Sequence, residues 1–200
     1  EVIKKGVHPT GLNINDKCGS LFPENVAAAT VEYRADIGIS LDGDGDRVIL
    51  TDETGEIIDG DQIMAICAIA MKKAGQLRHD TVVTTPMSNL GFELGLKDAG
   101  IKVIRANVGD RYVVEAMRKA DYNFGGEQSG HIVFLEHSTT GDGVVAALKV
   151  LEVMRRTGQR LSELKKCITL YPQVREDVKV SRKDDLKNLK EVTAEIKSAE

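Results

Sequence analysis

The sequence predicts an α/β fold: two tandem related α/β domains with mixed sheets flanked by helices. Three observations predict it. Short β-branched runs alternate with helical stripes along the chain, the pattern of layered α/β structure. Hydrophobic residues make up 42% of the 200 residues, yet aromatics are 4% and Trp is absent. Such a core is built from Val, Ile, Leu and Ala, which suits sheets buried between helices. The third observation is an internal repeat of strand, helix, strand, loop and strand. One copy runs from Val2-Ile3-Lys4 through Ala35-Asp36 to Val48-Ile49-Leu50, the other from Val103-Ile104-Arg105 through Ala120-Asp121 to Ile132-Val133-Phe134.

The elements follow in order. Val2–Val7 reads as a strand, followed by a polar loop through Asn13, Asn15, Asp16 and Gly19. Pro23 suits the first turn of a helix to about Arg34, because its missing N–H would be unpaired there anyway. Ile37–Leu41 is a short apolar strand, and Val48–Thr51 and Glu56–Ile58 flank an Asp52-Glu53-Thr54-Gly55 turn. From Asp61 to Ala74 the apolar residues Ile63, Ile66, Cys67, Ala70 and Met71 form a helical stripe, with Gly75 as its stop. Thr81–Thr85 is a strand, Ser88 is placed to cap a helix to Ala99, and Gly100 ends it. Lys102–Arg105 is the next strand, Asp110–Ala120 a helix, and Asn123–Gly125 with Ile132–Leu135 a strand pair. A long helix runs from Asp142 to Arg156 and stops near Gly158, and Lys183–Glu200 reads as a last helix. The first domain boundary falls near Asp59–Asp61.

Charge and cysteine content exclude several classes of function. Lys and Arg number 27 against 31 Asp and Glu, a net charge of −4, which favours neither nucleic acid nor a membrane surface as partner. No apolar run approaches the roughly 18 residues of a membrane-spanning helix, and no signal peptide is read at the start. The three cysteines, Cys18, Cys67 and Cys167, form no Cys-x-x-Cys pair, which fits reduced thiols in a cytoplasmic protein rather than a disulfide or zinc scaffold. The opening residues read as the middle of a strand, so a piece of a longer protein is expected.

Nineteen glycines, above the usual roughly 7%, concentrate in a few loops. The first is Asp42-Gly43-Asp44-Gly45-Asp46-Arg47. Carboxylates at alternate positions with glycine between them can curl until their oxygens meet. Three such charges repel unless a cation sits among them, and hard oxygen ligands select Mg²⁺, Ca²⁺ or Mn²⁺. An EF-hand is the main competitor, since Asp42, Asp44, Asp46 and Glu53 fall on its positions 1, 3, 5 and 12. But Arg47 occupies the position that needs Gly, and the flanks are β-rich. Three Asp ligands leave coordination positions open for a substrate phosphate, with Arg47 beside them for a phosphoryl oxygen.

The second loop, Gly125-Gly126-Glu127-Gln128-Ser129-Gly130-His131, sets a carboxylate, an amide and a hydroxyl between glycines, groups that bind sugar hydroxyls. His131 adds a side chain able to move a proton near neutral pH. Asn107-Val108-Gly109-Asp110-Arg111 is a polar turn at a helix start, read either as an anion site or as a plain cap by Asp110. Thr139-Thr140-Gly141-Asp142-Gly143 opens the long helix; no strand leads into it, so it is not a dinucleotide fingerprint. His8, His79 and His137 have no ligand-like spacing, and no nucleophile elbow or Walker loop occurs.

Asp42-Gly-Asp-Gly-Asp-Arg47, Val108-Gly-Asp-Arg-Tyr-Val113 and Gly126-Glu-Gln-Ser-Gly-His131, in this order, resemble the α-D-phosphohexomutases. Gly11–Asp16, Asp59–Met64, Met87–Gly91 and Thr139–Gly143 add to the likeness, which extends over nearly the whole chain. The subtype is similar to bacterial members that interconvert glucosamine 6-phosphate and glucosamine 1-phosphate. That reaction runs through a phosphoserine and a bisphosphorylated sugar and supplies UDP-N-acetylglucosamine and cell-wall precursors. The resemblance implies that residues 1–60 are the metal-loop second domain, truncated at its start, and 61–170 the sugar-loop third domain. Residues 171–200 would begin a third folding unit here, the α+β phosphate-binding fourth domain. Asp42, Asp44 and Asp46 would hold one Mg²⁺, completed by the phosphoserine of the absent first domain, and Arg47 would support phosphoryl transfer. Glu127 and Ser129 would grip the sugar, His131 would transfer a proton, and Asp110 and Arg111 would line the cleft. The implied partners are a phosphosugar and the remaining domains, in an assembly compatible with a homodimer of the full-length enzyme. The family's Thr-Ala-Ser-His-Asn-Pro type loop is absent and Ser88 does not replace it, so the 200-residue chain alone is expected to be inactive. The competing readings are a phosphomannomutase/phosphoglucomutase and a non-enzymatic divalent-metal-binding domain.

Overall fold

The computed structural model describes residues 1–174, 176, 179 and 188–199. A first unit comprises α1 (Glu24–Glu32) and three strands, β1 (Ile37–Leu41), β2 (Val48–Asp52) and β3 (Ile57–Ile58), paired antiparallel in the order β1-β2-β3. Gly38 lies so close to Thr30 and Val26 of α1 that any side chain there would collide, so the helix seats directly on the strand. A capping box then starts α2 (Gly60–Lys73): Asp59 accepts from the Gln62 amide at 3.0 Å while the Gln62 side chain reaches back to the Asp59 amide at 3.4 Å.

The second sheet has the order β5-β4-β6-β7, formed by β4 (Thr81–Thr84), β5 (Lys102–Arg105), β6 (Phe124–Gly126) and β7 (Ile132–Phe134). β4 runs parallel to both β5 and β6, and β7 closes antiparallel on β6. Side-chain alternation sorts its two faces. Val82, Phe124, Ile132 and Phe134 join the main core with α2, α3 (Leu90–Asp98) and α5 (Gly143–Thr157). Val83 and Val133 instead meet Val113 and Met117 of α4 (Asp110–Lys119) on the other side. The result is an α/β/α sandwich, with a mixed sheet where the alternation predicted one. α6 (Leu161–Leu164) follows α5, whose end is fixed by Gly158 in the left-handed conformation. No helix among the described residues is long and apolar enough to cross a membrane.

Three local expectations are corrected. Val2–Val7 is no strand: Val2 is 81% exposed and no paired neighbour satisfies its backbone, so it stays irregular. The first copy of the repeat therefore lacks its opening strand, although helix, strand, loop and antiparallel strand occur in both copies. The cap of α3 is Asn89, not Ser88. Asn89 Oδ1 accepts from the Gly91 amide at 2.9 Å, while the Ser88 hydroxyl turns inward to Thr84 Oγ1 at 2.5 Å. Asp110 likewise is not a cap but the first residue of α4, after Gly109. The final helix is present as α7 (Lys190–Ala199); most of 183–189, and much of the segment expected to open a further domain at 171–200, lie outside the described residues.

Candidate active site

The acidic loop is a tight return between β1 and β2. Asp42 organises it: its carbonyl accepts from the Gly45 amide at 3.2 Å and its side chain from the Arg47 amide at 3.2 Å. The loop is supported from behind by the start of α5, where the Gly143 amide donates to the Gly45 carbonyl at 2.9 Å. In this return Asp42, Asp44 and Asp46 each offer a carboxylate oxygen, all within 4.8 Å of one another. Burial raises the Asp46 carboxyl first, and the neighbouring Asp42 and Asp44 raise it further against the lowering effect of His131. Closely gathered carboxylates of this kind form an all-oxygen donor set fit for a hard divalent cation. Arg47 Nε stands 3.8 Å from both Asp42 and Asp46, and the half-exposed side chain has no other polar partner among the described residues, so its remaining donors can meet an anion.

The two loops singled out from the sequence meet. Arg47 and His131 form an antiparallel β-bridge, and the Val48 amide donates to the Gly130 carbonyl at 3.1 Å. The equivalent ends of the two repeat copies are thus stitched together, each bringing its loop. His131 is 2% exposed, with Nε2 3.5 Å from Asp46 Oδ2 and 3.9 Å from Asp110 Oδ2, and among the described residues this Nε2 has no hydrogen-bond partner. Gly141 makes room for the ring; a Cβ there would stand 2.5 Å from His131 Nε2 and Cδ2. Glu127 is half-buried and accepts from the Gly109 amide at 3.2 Å, tying the second loop to the start of α4, and Ser129 is exposed at its tip.

Asp42, Asp44, Asp46, Arg47, Asp110 and His131 are therefore brought together, with Glu127 and Ser129 on the adjoining loop. Arg111 is not part of this group: its side chain is 81% exposed and bonds Glu115 at 2.8 Å, one turn along α4. Sequence reasoning missed the support under the second loop. The Gly60 amide donates to the Gln128 carbonyl at 3.0 Å, and Asp61 is fully buried, accepting from the Asn89 amide at 2.7 Å. Burial pushes the Asp61 carboxyl up to about 6, against the Asn89 and Ser88 donors and Arg105. The Asp59-Gly-Asp61 spacing ahead of a helix was the available signal, but nothing in it tells a cap from a buried carboxylate.

Residues 59–171 match the family model for phosphoglucomutase/phosphomannomutase, alpha/beta/alpha domain III. A phosphoglucosamine mutase of Bdellovibrio bacteriovorus is 55% identical over 189 residues, 94% of this chain and 41% of that protein. One of Geotalea uraniireducens is 56% identical over 192 residues, 96% of this chain and 42% of that protein. The chain spans about two-fifths of the length of these relatives. A phosphoglucomutase/phosphomannomutase family protein from Burkholderia thailandensis has the same fold, with a TM-score of 0.66 at 21% identity over 74% of this chain and 32% of that one. So does the Aspergillus fumigatus N-acetylphosphoglucosamine mutase solved with GlcNAc-6P and magnesium, with a TM-score of 0.59 at 21% identity over 79% of this chain and 38% of that one.

Proposed function

The chain belongs to the phosphoglucomutase/phosphomannomutase family, the α-D-phosphohexomutases, and on that footing we propose that it is the central part of a phosphoglucosamine mutase. The reaction is the interconversion of glucosamine 6-phosphate and glucosamine 1-phosphate through a phosphoserine and a bisphosphorylated sugar. The observation that carries this is the Arg47–His131 bridge, which joins an oxygen-rich cation loop to a loop of sugar-binding groups. In this reading residues 1–60 carry the metal loop, 61–170 the sugar loop, and 171–200 begin the phosphate-binding unit. The phosphoserine lies on a segment outside these residues.

Asp42, Asp44 and Asp46 would hold one Mg²⁺, which supplies charge neutralisation at a phosphoryl oxygen. Arg47, held beside them with donors to spare, grips a second phosphoryl oxygen and favours the in-line geometry of transfer. Glu127 accepts from sugar hydroxyls while its link to Gly109 fixes its position, and Ser129 adds a hydroxyl that can donate or accept. His131 Nε2, shielded from solvent between Asp46 and Asp110, is placed to take the proton of the attacking sugar hydroxyl and to return it in reverse. Asp110 stabilises the imidazolium formed in that step. Keeping water out matters because a phosphoserine is open to hydrolysis. The setting is the cytoplasm, and a homodimer is compatible with it.

The test is an assay of the full-length protein with glucosamine 6-phosphate, glucose 1-phosphate and mannose 1-phosphate, with and without Mg²⁺. The amino sugar is expected to be preferred in kcat/KM by about tenfold or more, a margin of roughly 1.4 kcal/mol in transition-state binding. Chelation should abolish turnover and Mg²⁺ should restore it. Preference for mannose or glucose phosphate would move the assignment to phosphomannomutase/phosphoglucomutase, and metal binding without any turnover would leave a metal-binding domain.

A further inference from the structure

The segment that leaves the second sheet domain, Ile168–Gln173, is fastened with unusual thoroughness. Gly91 and Gly95 line one side of α3, and a Cβ at Gly91 would overlap the Thr169 carbonyl while one at Gly95 would stand 2.6 Å from Ile168 Cγ2. The chain can lie on the helix only because those side chains are absent. Asn89 then grips the backbone of Tyr171 from both sides: Oδ1 accepts from the Tyr171 amide at 2.9 Å and Nδ2 donates to its carbonyl at 2.8 Å. The same Oδ1 caps α3, and the Asn89 amide is held by buried Asp61. Two residues on, Gln173 Nε2 donates to the Met87 carbonyl at 3.0 Å. Gln173 Oε1 receives Nδ2 of Asn89 at 3.5 Å and, at 3.4 Å, Nε2 of Gln128. Gln128 stands between Glu127 and Ser129, and its Nε2 also reaches Asp59 Oδ2 at 3.5 Å.

Nothing in a cap requires this second grip. A cap needs one acceptor for an N-terminal amide, whereas the Asn89 amide group uses both ends and its neighbour contacts the candidate sugar loop. We propose that Asn89 and Gln173 are positioning residues, latching the outgoing segment Ile168–Gln173 to the loop that presents Glu127 and Ser129. The direction in which the chain leaves and the placement of that loop are then set together. This rests on the reading of that loop as the sugar contact.

The test compares Asn89→Asp and Gln173→Ala with the parent in the full-length protein. Asn89→Asp keeps the acceptor that caps α3 but turns an oxygen toward the Tyr171 carbonyl, so it breaks the latch and spares the cap. Gln173→Ala alters only an exposed side chain. Amide hydrogen exchange should quicken about tenfold at Tyr171 in Asn89→Asp, and at Glu127 and Gly130 in both variants, with the α3 amides unchanged. KM for glucosamine 6-phosphate should rise about fivefold with kcat within about twofold, the pattern of lost ground-state contacts rather than lost fold. Unchanged protection of Glu127 and Gly130 in Gln173→Ala overturns the latch. A loosened loop with an unmoved KM overturns its positioning role. If the parent turns over no phosphohexose, the proposed function fails separately and the exchange comparison alone decides the latch. If Asn89→Asp loses α3 protection, Gln173→Ala decides.

Discussion

His131 carries the most information of any single residue in the molecule. Its identity was legible, because a histidine closing a Gly-Glu-Gln-Ser-Gly run stands out against three others with no context. Its surroundings were not. A fully buried imidazole between Asp46 and Asp110 depends on segments 85 and 21 residues earlier in the chain, and on Gly141 for space. In the sequence Gly141 belongs to the Thr139–Gly143 run that opens the long helix, and nothing local ties it to His131. Its Cβ would push on His131 at 2.5 Å with a helix start behind it, leaving the ring nowhere to retreat. Gly141→Ala is therefore expected to destabilise by about 1–3 kcal/mol, the usual cost of overpacking. It should also lower kcat of the full-length enzyme by about 100-fold through loss of proton-transfer geometry. Urea denaturation and steady-state kinetics check the two halves of this statement, and an unchanged kcat would remove His131 from the mechanism.

Elements were predicted well where periodicity and end signals agreed. α2 has an apolar stripe, a capping box and Gly75, and its limits fall within a residue of those expected. Val2–Val7 failed because a β-branched run describes a strand only when another strand pairs with it. Ser88 failed because two neighbouring residues can both cap, and only packing turned its hydroxyl inward. Invisible at this level was the fastening of the β2–β3 hairpin to α6 and the residue after it. Asp52 is fully buried and meets Lys165 Nζ at 2.6 Å, Lys165 also bonds Glu56, and Glu53 bonds Ser162. Burial pushes the Asp52 carboxyl up, but Lys165 with the Thr54 and Glu56 donors outweighs it and holds it below its ordinary value. Burial lowers the Lys165 ammonium, and Asp52 and Glu56 more than reverse that. A depressed acid stabilises above its unfolded pKa, and a raised base below its own. The pair therefore contributes fully between about pH 4 and pH 10 and fades outside that window. Lys165→Met leaves Asp52 buried without its cation and should cost about 3 kcal/mol at pH 7, and less as the pH falls below the depressed Asp52 value, where the carboxyl is protonated in either protein. Denaturant midpoints measured across pH would show this, and a pH-independent difference would contradict it.

At the scale of the whole molecule, the repeat becomes a contact. Its two loops meet at Arg47 and His131, and one hydrophobic cluster runs from Val48, Leu50 and Ile58 of the first sheet into α2, α5 and the second sheet. Units that share a core gain little from folding separately. The region from Glu24 to Ile168 should thus unfold in one transition, with circular dichroism and exchange at Leu50 and Val82 coinciding at one midpoint. Two separated midpoints would show that the shared core is too weak to couple them. The sequence by itself determined the alternation of strands and helices, the two candidate site loops and the chemistry of their side chains. Those rest on local periodicity, on turn residues and on what carboxylates, imidazoles and glycines can do. Only the tertiary structure decided which loops face each other, which histidine is buried, that Arg111 turns to Glu115, and that Asn89 holds the outgoing chain. Those depend on contacts between residues far apart in sequence, where close packing and the burial of charge select one arrangement from many that the local pattern allows.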